Sequence, residues 1–480
     1  MTNLTRRQRL LVLAICCLSL VIVGMDNTIV NIALPSLRAQ FHASVSDLQW
    51  TVDAYTLVLA SLLMLSGSTG DRVGRRRTFQ TGLVLFSLGS LLCSLAPGLG
   101  WLIFFRMLQA VGGSMLNPVA MSIITNVFTE PRERAQAIGV WGGVVGISMG
   151  LGPVVGGALT ESVGWRSIFW INVPIGVAAI VLTARFVPES RAERSRRPDP
   201  LGQVLVAVGL TALVYAIIEG PRVGWLTAQT FALFAAALLA AVVLVAYESR
   251  REDPLIDPRF FRSVPFSGAT LIAVCGFGAY AGFLFLNTLY LQDVRGLSAL
   301  HAGLCTLPMA VVTTVLAPIA GRIVGVRGPR IPLVLAGCGL CAGGLLLIGV
   351  SASTSLFYVI LAYVVFSIGF GMLNAPITNT AVSGMPRSQA GVASAVASTS
   401  RQVGASLGIA LTGSIVNSRL GSGTFGDAFA AAVGPGWVLL GALGALVLVL
   451  GLLSTSRRAR ATAEHTAALF ADDTPAPAPA

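Results

Sequence analysis

Fourteen stretches of this 480-residue chain are long and apolar enough to cross a membrane: 10–34, 50–69, 78–96, 101–128, 135–160, 167–187, 201–219, 227–247, 266–291, 302–324, 331–350, 356–381, 389–416 and 434–454. A hydrocarbon layer about 30 Å thick is spanned by roughly 20 residues of helix. No water reaches the backbone there, so each stretch must satisfy its own amide and carbonyl groups, and a separate segment does so only as a helix. Only 11% of residues are charged and the mean hydropathy is +0.80, whereas a soluble domain carries about 25% charged residues. The expected fold class is an all-α polytopic membrane protein. An even number of spans returns both termini to one side. Counted on the expected loops, 25 arginines share the side of the N-terminus, and only Arg38, Arg166, Arg222, Arg295 and Arg419 fall on the other. The arginine-rich side is the cytoplasm. The expected location is therefore the cytoplasmic membrane, multi-pass, with both termini inside.

The same arginines exclude some functions. The net charge of +12 sits in short loops between spans and is a topology signal, so nucleic acid is not an expected partner. The sequence has no lysine, which an ATP-binding phosphate loop requires. Any pumping is expected to draw on an ion gradient, with the proton-motive force in place of a cofactor. No metal site and no catalytic residue is expected, and the protein is not expected to be an enzyme. The seven cysteines lie in apolar spans, where each reads as a small packing residue.

Between Gly139 and Gly157 the chain places eight glycines around Pro153 with no charged residue. In a helix in water each interior glycine costs about 1 kcal/mol and an interior proline about 3. In lipid the segment must still be helical. Glycines four apart, as at 139/143, 142/146, 146/150 and 152/156, let a neighbouring helix approach closely.

An internal repeat appears at an offset of 254, where residues 67–76 (GSTGDRVGRR) align with 321–330 (GRIVGVRGPR). A second match, at 255, sets Pro131-Arg132 beside Pro386-Arg387. Two six-helix halves follow, at 1–187 and 264–456. They flank a linker, 188–263, that carries two inserted spans, giving a 6 + 2 + 6 arrangement. Residues 457–480, ending in TPAPAPA, are expected to form a disordered cytoplasmic tail. Parallel repeats of this kind rock about a site near the midplane.

Four charges fall deep in spans: Asp26, Asp53, Arg106 and Arg401. Each costs at least about 2.5–3.5 kcal/mol at a helix centre and so asks for a reason. Asp26 lies sixteen residues beyond Leu10, roughly 24 Å along a helix. Arg106 enters from the opposite side early in the fourth span and reaches a comparable depth, so the two are expected to pair. Asp26, Asp53 and Arg106 are the candidate proton-coupling residues, because a carboxyl that holds either a proton or a substrate links the two by competition. At the repeat offset Asp26 and Asp53 correspond to Tyr280 and Leu307, which assigns proton handling to the first half. Asp26, Asp53, Asn31, Tyr280, Asn287 and Arg401 are the candidate substrate cavity. Gly67, Gly70, Asp71, Arg72, Gly74, Arg75 and Arg76 form a candidate cytoplasmic gate, since Asp71 adds nothing to a positive-inside signal. Glu219, beside Gly220-Pro221, is expected to be an exposed loop carboxylate.

Five strings resemble one family. Asp26-Asn-Thr-Ile-Val-Asn-Ile-Ala-Leu-Pro35, Gly67 to Arg77, Arg106-Met-Leu-Gln109-Ala-Val-Gly112, Gly146 to Gly157 and Trp165 to Pro174 look like the motifs of fourteen-span drug:proton antiporters of the major facilitator superfamily, which include quaternary-ammonium exporters. The resemblance covers the whole chain. It implies a major facilitator fold and makes Gly146, Gly150, Gly152, Pro153, Gly156 and Gly157 the antiporter motif of the fifth helix. Ala110 and Gly325 depart from the family pattern, which usually has glycine at the first and often aspartate at the second. Asp53 is shared with the part of the family that resembles exporters of cationic compounds. The implied function is proton-coupled export of amphipathic, expected cationic, drugs or antibiotics by alternating access. The implied partners are a small-molecule drug, protons and the lipid bilayer. A monomer is expected, and an envelope adaptor protein, used by some relatives, stays open. A dedicated exporter of one endogenous metabolite or self-made antibiotic is the alternative. An uptake symporter is disfavoured by the fifth-helix string. A membrane sensor without transport is disfavoured because the longest soluble segments are loops and the tail.

Overall fold

The computed structural model describes residues 5–192, 199–251, 254–383, 385, 389–420 and 425–471, and regular structure among them is helical throughout. Pro386-Arg387, one side of the shorter repeat match, lies outside the described residues. The first half comprises α1 (Arg6–Phe41), α2 (Val45–Val73), α3 (Arg75–Ser94), α4 (Leu99–Val127), α5 (Pro131–Ser162), the short α6 (Ser167–Trp170) and α7 (Asn172–Phe186). Capping boxes start the first two: Thr5 with Gln8, and Ser44 with Asp47, satisfy amides that a helix N-terminus leaves free. Next come α8 (Pro200–Val223) and α9 (Ala228–Glu248). The second half comprises α10 (Val264–Leu289, continued by a π turn Tyr290–Val294), α11 (Ala299–Arg327), α12 (Arg330–Leu346), α13 (Leu356–Gly371), α14 (Asn374–Val382), α15 (Ala390–Asn417), α16 (Phe425–Ala432) and α17 (Gly434–Ser454). A last helix, α18, runs Arg457–Ala471.

Eleven helical stretches among the described residues are long and apolar enough to cross a membrane. The expected spans 78–96, 331–350 and 389–416 are helical as well, but α12 is short and polar side chains dilute α3 and α15. The expected span 356–381 is split after Gly371. Pro376 has no N–H for the carbonyl of Met372 and its ring crowds the preceding turn, so the helix restarts with Pro376 in its first turn.

The pairing of helices repeats between the halves. In the first, α1 packs on α5 and α7, and α3 on α4 and α7; in the second, α10 packs on α15 and α17, and α12 on α13 and α17. Small residues permit this closeness, as lipid supplies no hydrophobic drive between helices. A Cβ on Gly404 would meet the backbone of Val274 at 2.6 Å, so α10 and α15 touch main chain to main chain.

Two of the expectations are corrected here. Residues 457–471 of the expected tail are helical, and α18 docks on the start of α10: Val264 N donates to Thr462 Oγ1 (3.0 Å), and the rings of Phe260 and Phe470 lie 5.2 Å apart. Residues 472–480 lie outside the described residues. Glu219 is buried, not a loop carboxylate, because α8 continues through Pro221 to Val223. It accepts from Trp50 Nε1 (3.1 Å) and Arg222 Nε (2.7 Å). With Ser46 Oγ donating to the Ile218 carbonyl and Ser414 Oγ to that of Ile217, these bonds seat α8 across α2 and α15.

The halves meet along two seams, α2 with α15 and α5 with α11. The side-chain hydrogen bonds that join them, among the described residues, gather at the end away from the chain termini. Arg38 Nη2 donates to Asp293 Oδ1 (2.6 Å), Gln292 Nε2 to the Ile32 carbonyl (2.8 Å), and Leu300 N to Glu161 Oε2 (3.1 Å). Gln49 Nε2 donates to the carbonyls of Ile409 and Ala410 (3.1 and 2.9 Å) and Asn417 Nδ2 to Ser46 Oγ (3.2 Å). Toward the termini, Gly139, Gly142 and Gly143 on α5 and Gly325 on α11 have open space where a side chain would stand. The molecule is closed at the far end and parted at the end that holds its termini.

Candidate functional site

The expected pair of Asp26 and Arg106 is present and lies wholly inside the first half. Arg106 Nη1 donates to Asp26 Oδ2 at 2.5 Å, and neither side chain is more than 1% exposed. Three polar residues complete the network. Gln109 Nε2 donates to Asp26 Oδ1 (2.9 Å), Asn172 Nδ2 donates to the same oxygen (3.2 Å), and the Gln109 carbonyl oxygen accepts from Arg106 Nη1 (2.8 Å). Ser90 Oγ accepts from Gln109 Nε2 and Asn172 Nδ2 (3.3 and 3.0 Å) and donates to the Phe169 carbonyl (3.0 Å). The guanidinium carbon sits 4.1 Å from the centre of the Tyr55 ring. Helices α1, α2, α3, α4 and α7 thus each place a side chain around one ion pair. A buried pair is tolerable only when its remaining donors and acceptors are met; Gln109 and Asn172 meet those of Asp26, whereas Arg106 Nε is buried without a partner. Gln109 carried its own signal, since a residue three after Arg106 shares its helix face. Ser90 carried none beyond being polar in a span, and Asn172 only its place in the Trp165 to Pro174 string.

Asp53 lies elsewhere. It is fully buried on α2, against Ser406 of α15, so it stands on the seam between the halves. Along that seam one turn away is Gln49, bonded across to α15.

The glycine-rich α5 joins α1 to the second half. Side chains at Gly152 and Gly156 would strike Thr28 and Ile29 of α1. Added at Gly146, Gly150 and Gly157 they would press on Thr314, Ala310 and the backbone of Leu300 in or beside α11. Pro153 sits where Gly303 of α11 crosses closest, its carbonyl facing that glycine.

Between α5, α10, α11 and α13 lies a narrow cleft with about 30 Å³ of room for water, lined by Gly146, Met149, Pro153, Tyr280, Met309 and Phe370 among others. The Tyr280 and Phe370 rings stack at 4.0 Å. Arg401 stands next to this group, its guanidinium 5.8 Å from the Phe277 ring, which in turn lies 5.3 Å from Phe370. Asn31 is buried on α1, where its Nδ2 donates to the Asn27 carbonyl (3.3 Å). Asn287 is enclosed in the second half and accepts from the Tyr363 hydroxyl. Of the six residues expected to share one cavity, only Tyr280 lines this cleft, and Arg401 is linked to it through the Phe277 and Phe370 rings. Asp26 and Asn287 are enclosed in opposite halves, and Asp53 is on the seam.

Residues 16–409 match the sequence model of the Major Facilitator Superfamily. The chain belongs to the major facilitator superfamily. It is 36% identical over 414 residues to the multidrug resistance protein Stp of Mycobacterium tuberculosis, covering 86% of this chain and 77% of that protein. To the tetracenomycin C resistance and export protein of Streptomyces glaucescens it is 37% identical over 421 residues, with the same two coverages. In fold it is similar to a bacterial homologue of the human lysosomal transporter Spinster, solved inward-facing and unoccupied, with a TM-score of 0.64 at 19% identity over 99% of this chain and 100% of that one. As a facilitator-superfamily transporter this chain is a multi-pass membrane protein that handles small molecules and is not an enzyme.

The loop between α2 and α3 of this transporter is tied to its own half. Arg75 donates to Asp71 Oδ1 through Nε (3.1 Å) and Nη2 (2.8 Å), while Arg75 N donates to the Ser190 carbonyl (2.9 Å). Arg76 N donates to Glu189 Oε1 (3.1 Å). Gly74, at φ 125°, makes the left-handed turn that a side chain would oppose. A Cβ on Gly70 would meet Val119 of α4, and one on Gly67 would meet Pro118. Arg72 makes no ion pair among the described residues. Among the described residues Asp71 bonds to nothing in the second half, and Glu133 bridges α5 to Arg9 of α1.

Proposed function

We propose that the protein is a proton-coupled antiporter that exports amphipathic drugs or antibiotics across the cytoplasmic membrane by alternating access. Its spans are read as fourteen, in the 6 + 2 + 6 order of the drug:proton antiporters, with both termini in the cytoplasm. The arginine asymmetry supports that orientation. On it, the closed end is external and the state described above is inward-facing. The relatives named for multidrug resistance and for tetracenomycin C export support the direction of transport.

The observation that carries the coupling is the enclosed Asp26–Arg106 pair. Ionised, Asp26 holds α1 to α4 and α7 through three donors. Protonated, it no longer balances Arg106, and the guanidinium must find other acceptors, so each charge state favours a different packing of the first half. Asp53 is shut against Ser406 while the outer end is closed. Rocking the outer end open parts α2 from α15 and lets external water reach that carboxyl, which is where an entering proton would first bind. Asp71 and the arginines beside it act as the inner gate, pairing within their half when the inner end is open. Glycine-rich α5 is the flexible contact between the halves. The transporter is read as a monomer, and the adaptor question is left to its partners.

The test uses inside-out vesicles energised to an acidic interior. Adding a transported drug should release protons from wild type and none from Asp26→Asn. Drug accumulation in wild-type vesicles with no proton release would overturn the antiport. The alternative, export of one self-made antibiotic, is favoured by the tetracenomycin relative, and a panel in which a single compound evokes release would select it.

A further inference from the structure

Arg401 is the outlier of the four intramembrane charges. It lies eleven residues into α15, roughly 16 Å along the helix, and no carboxylate pairs with it among the described residues. Its Nη1 donates to Ser398 Oγ (3.0 Å) and its Nη2 to Thr378 Oγ1 (2.5 Å), while Nε is buried without a partner. From α10 to α15 the one acidic residue is Asp293, at the far end and bound to Arg38. The other carboxylates at membrane depth are not available to the cleft: Asp26 is enclosed with Arg106, and Asp53 is shut in the seam. The cleft itself is walled by the stacked Phe370 and Tyr280 rings, with the Thr313 hydroxyl buried there without a partner, and Phe277 stands between Phe370 and the Arg401 guanidinium. A half-buried guanidinium at membrane depth, left with two hydroxyls and an unpartnered Nε, calls for an anion, and its planar fork of donors matches a carboxylate. Aromatic walls beside one charged group suit a flat ligand held at one end.

We propose that Arg401, with Phe277, Tyr280 and Phe370, forms the recognition end of the substrate site, and that the transported class is an aromatic organic anion, a ring system bearing a carboxylate or an acidic phenol. This reverses the substrate charge expected from Asp53. It takes only the direction of movement from the proposed export; the binding preference stands apart from it.

Two xanthene dyes of opposite charge, fluorescein and rhodamine 6G, test it by fluorescence anisotropy on the purified full chain at pH 7.5. Wild type should bind fluorescein at least tenfold more tightly than rhodamine 6G. Arg401→Gln should erase that preference by weakening fluorescein binding about tenfold, with rhodamine binding retained or tightened as the like charge is removed, while Arg401→Lys keeps part of the preference. Retained rhodamine binding also shows that the variant is folded; if Arg401→Gln binds neither dye, Phe277→Leu and Thr313→Val should weaken fluorescein binding selectively. Equal loss of both dyes in all the variants, equal binding of both by wild type, or no binding of fluorescein overturns the proposal. Vesicle uptake separates the two readings. Rhodamine moved but not fluorescein would keep export and sink the anion site; Arg401-dependent fluorescein binding with neither dye moved would keep the site and sink export.

Discussion

The two halves share a helix plan and fill its centre with opposite chemistry. Where the first half holds Asp26, the repeat offset puts Tyr280 in the second; where it holds Arg106 and Gln109, the second has Ile360 and Tyr363. The polar network of the first half therefore has an aromatic counterpart. Phe283 stacks on Phe366 at 4.8 Å and meets Tyr363 edge-on at 5.1 Å, with Trp437 at 6.2 Å. An ion pair has two charge states and two preferred packings, whereas a ring cluster has one. On the proposed coupling, the first half is the part that changes and the second the part that stays.

Breaking the ion pair should have the largest effect. Arg106→Ala leaves Asp26 without its counter-charge in a fully buried site, which costs about 3–5 kcal/mol. The expected result is a marked fall in the thermal midpoint in detergent and no drug-driven proton movement. Asp26→Asn combined with Arg106→Gln removes both charges and should recover most of the stability with none of the coupling. A double variant that still exchanged protons for drug would place the coupling outside this network.

On the aromatic side, Phe283→Ala empties a ring-sized volume and should cost about 3–5 kcal/mol. The loss should fall on stability alone. Transport per folded molecule, followed against pH in vesicles, should keep the wild-type profile. A displaced profile would mean that the second half also takes part in proton handling.

The contact between the halves can be loosened more gently. Arg38 and Asp293 are one residue out of register in the repeat, since Arg38 corresponds to Gln292, next to Asp293, at the offset of 254. The pair joins the two halves at the closed end, and the guanidinium also lies 3.8 Å over the Phe425 ring. Arg38→Gln should favour the state open at that end by roughly twofold to fivefold, in line with about 0.5–1 kcal/mol for a partly exposed ion pair. Distances between spin labels at the ends of α1 and α10 would report it. An unchanged distribution would show that the backbone acceptors of Gln292 and Gln49 hold the end shut without it.

The two kinds of site differed in how far they could be read from the chain. A charge in a span announces itself, so Asp26 and Arg106 were paired by depth alone. Ser90 stayed hidden, and Gln109 and Asn172, though inside the quoted family strings, were not read as partners of the pair, because uncharged polar residues are common in spans and mostly bond to their own helix, as Thr56 does with the Val52 carbonyl. The Arg38–Asp293 bridge lay 255 residues apart, and the repeat set Arg38 only against Gln292, the residue beside Asp293. Eleven of the expected spans were legible as helices long and apolar enough to cross a membrane, and hydropathy misled where proline and glycine act differently inside a membrane helix than in a loop. Glu219 was misplaced for that reason, because Gly220-Pro221 punctuates a soluble chain but is carried within α8.

Glu219 also gives the mildest test of the contrast between the halves. The inserted α8 lies over the seam of α2 and α15 and touches both halves, so it acts either as a brace or as part of the switch. Glu219→Gln keeps an oxygen for Trp50 Nε1 and loses only the charge toward the exposed Arg222. As a brace it should lose less than 1 kcal/mol and transport should change by less than twofold. A loss of drug-driven proton release in Glu219→Gln, at normal protein levels and thermal midpoint, would instead put a third carboxylate in the coupling path and extend the changeable part of the molecule beyond its first half.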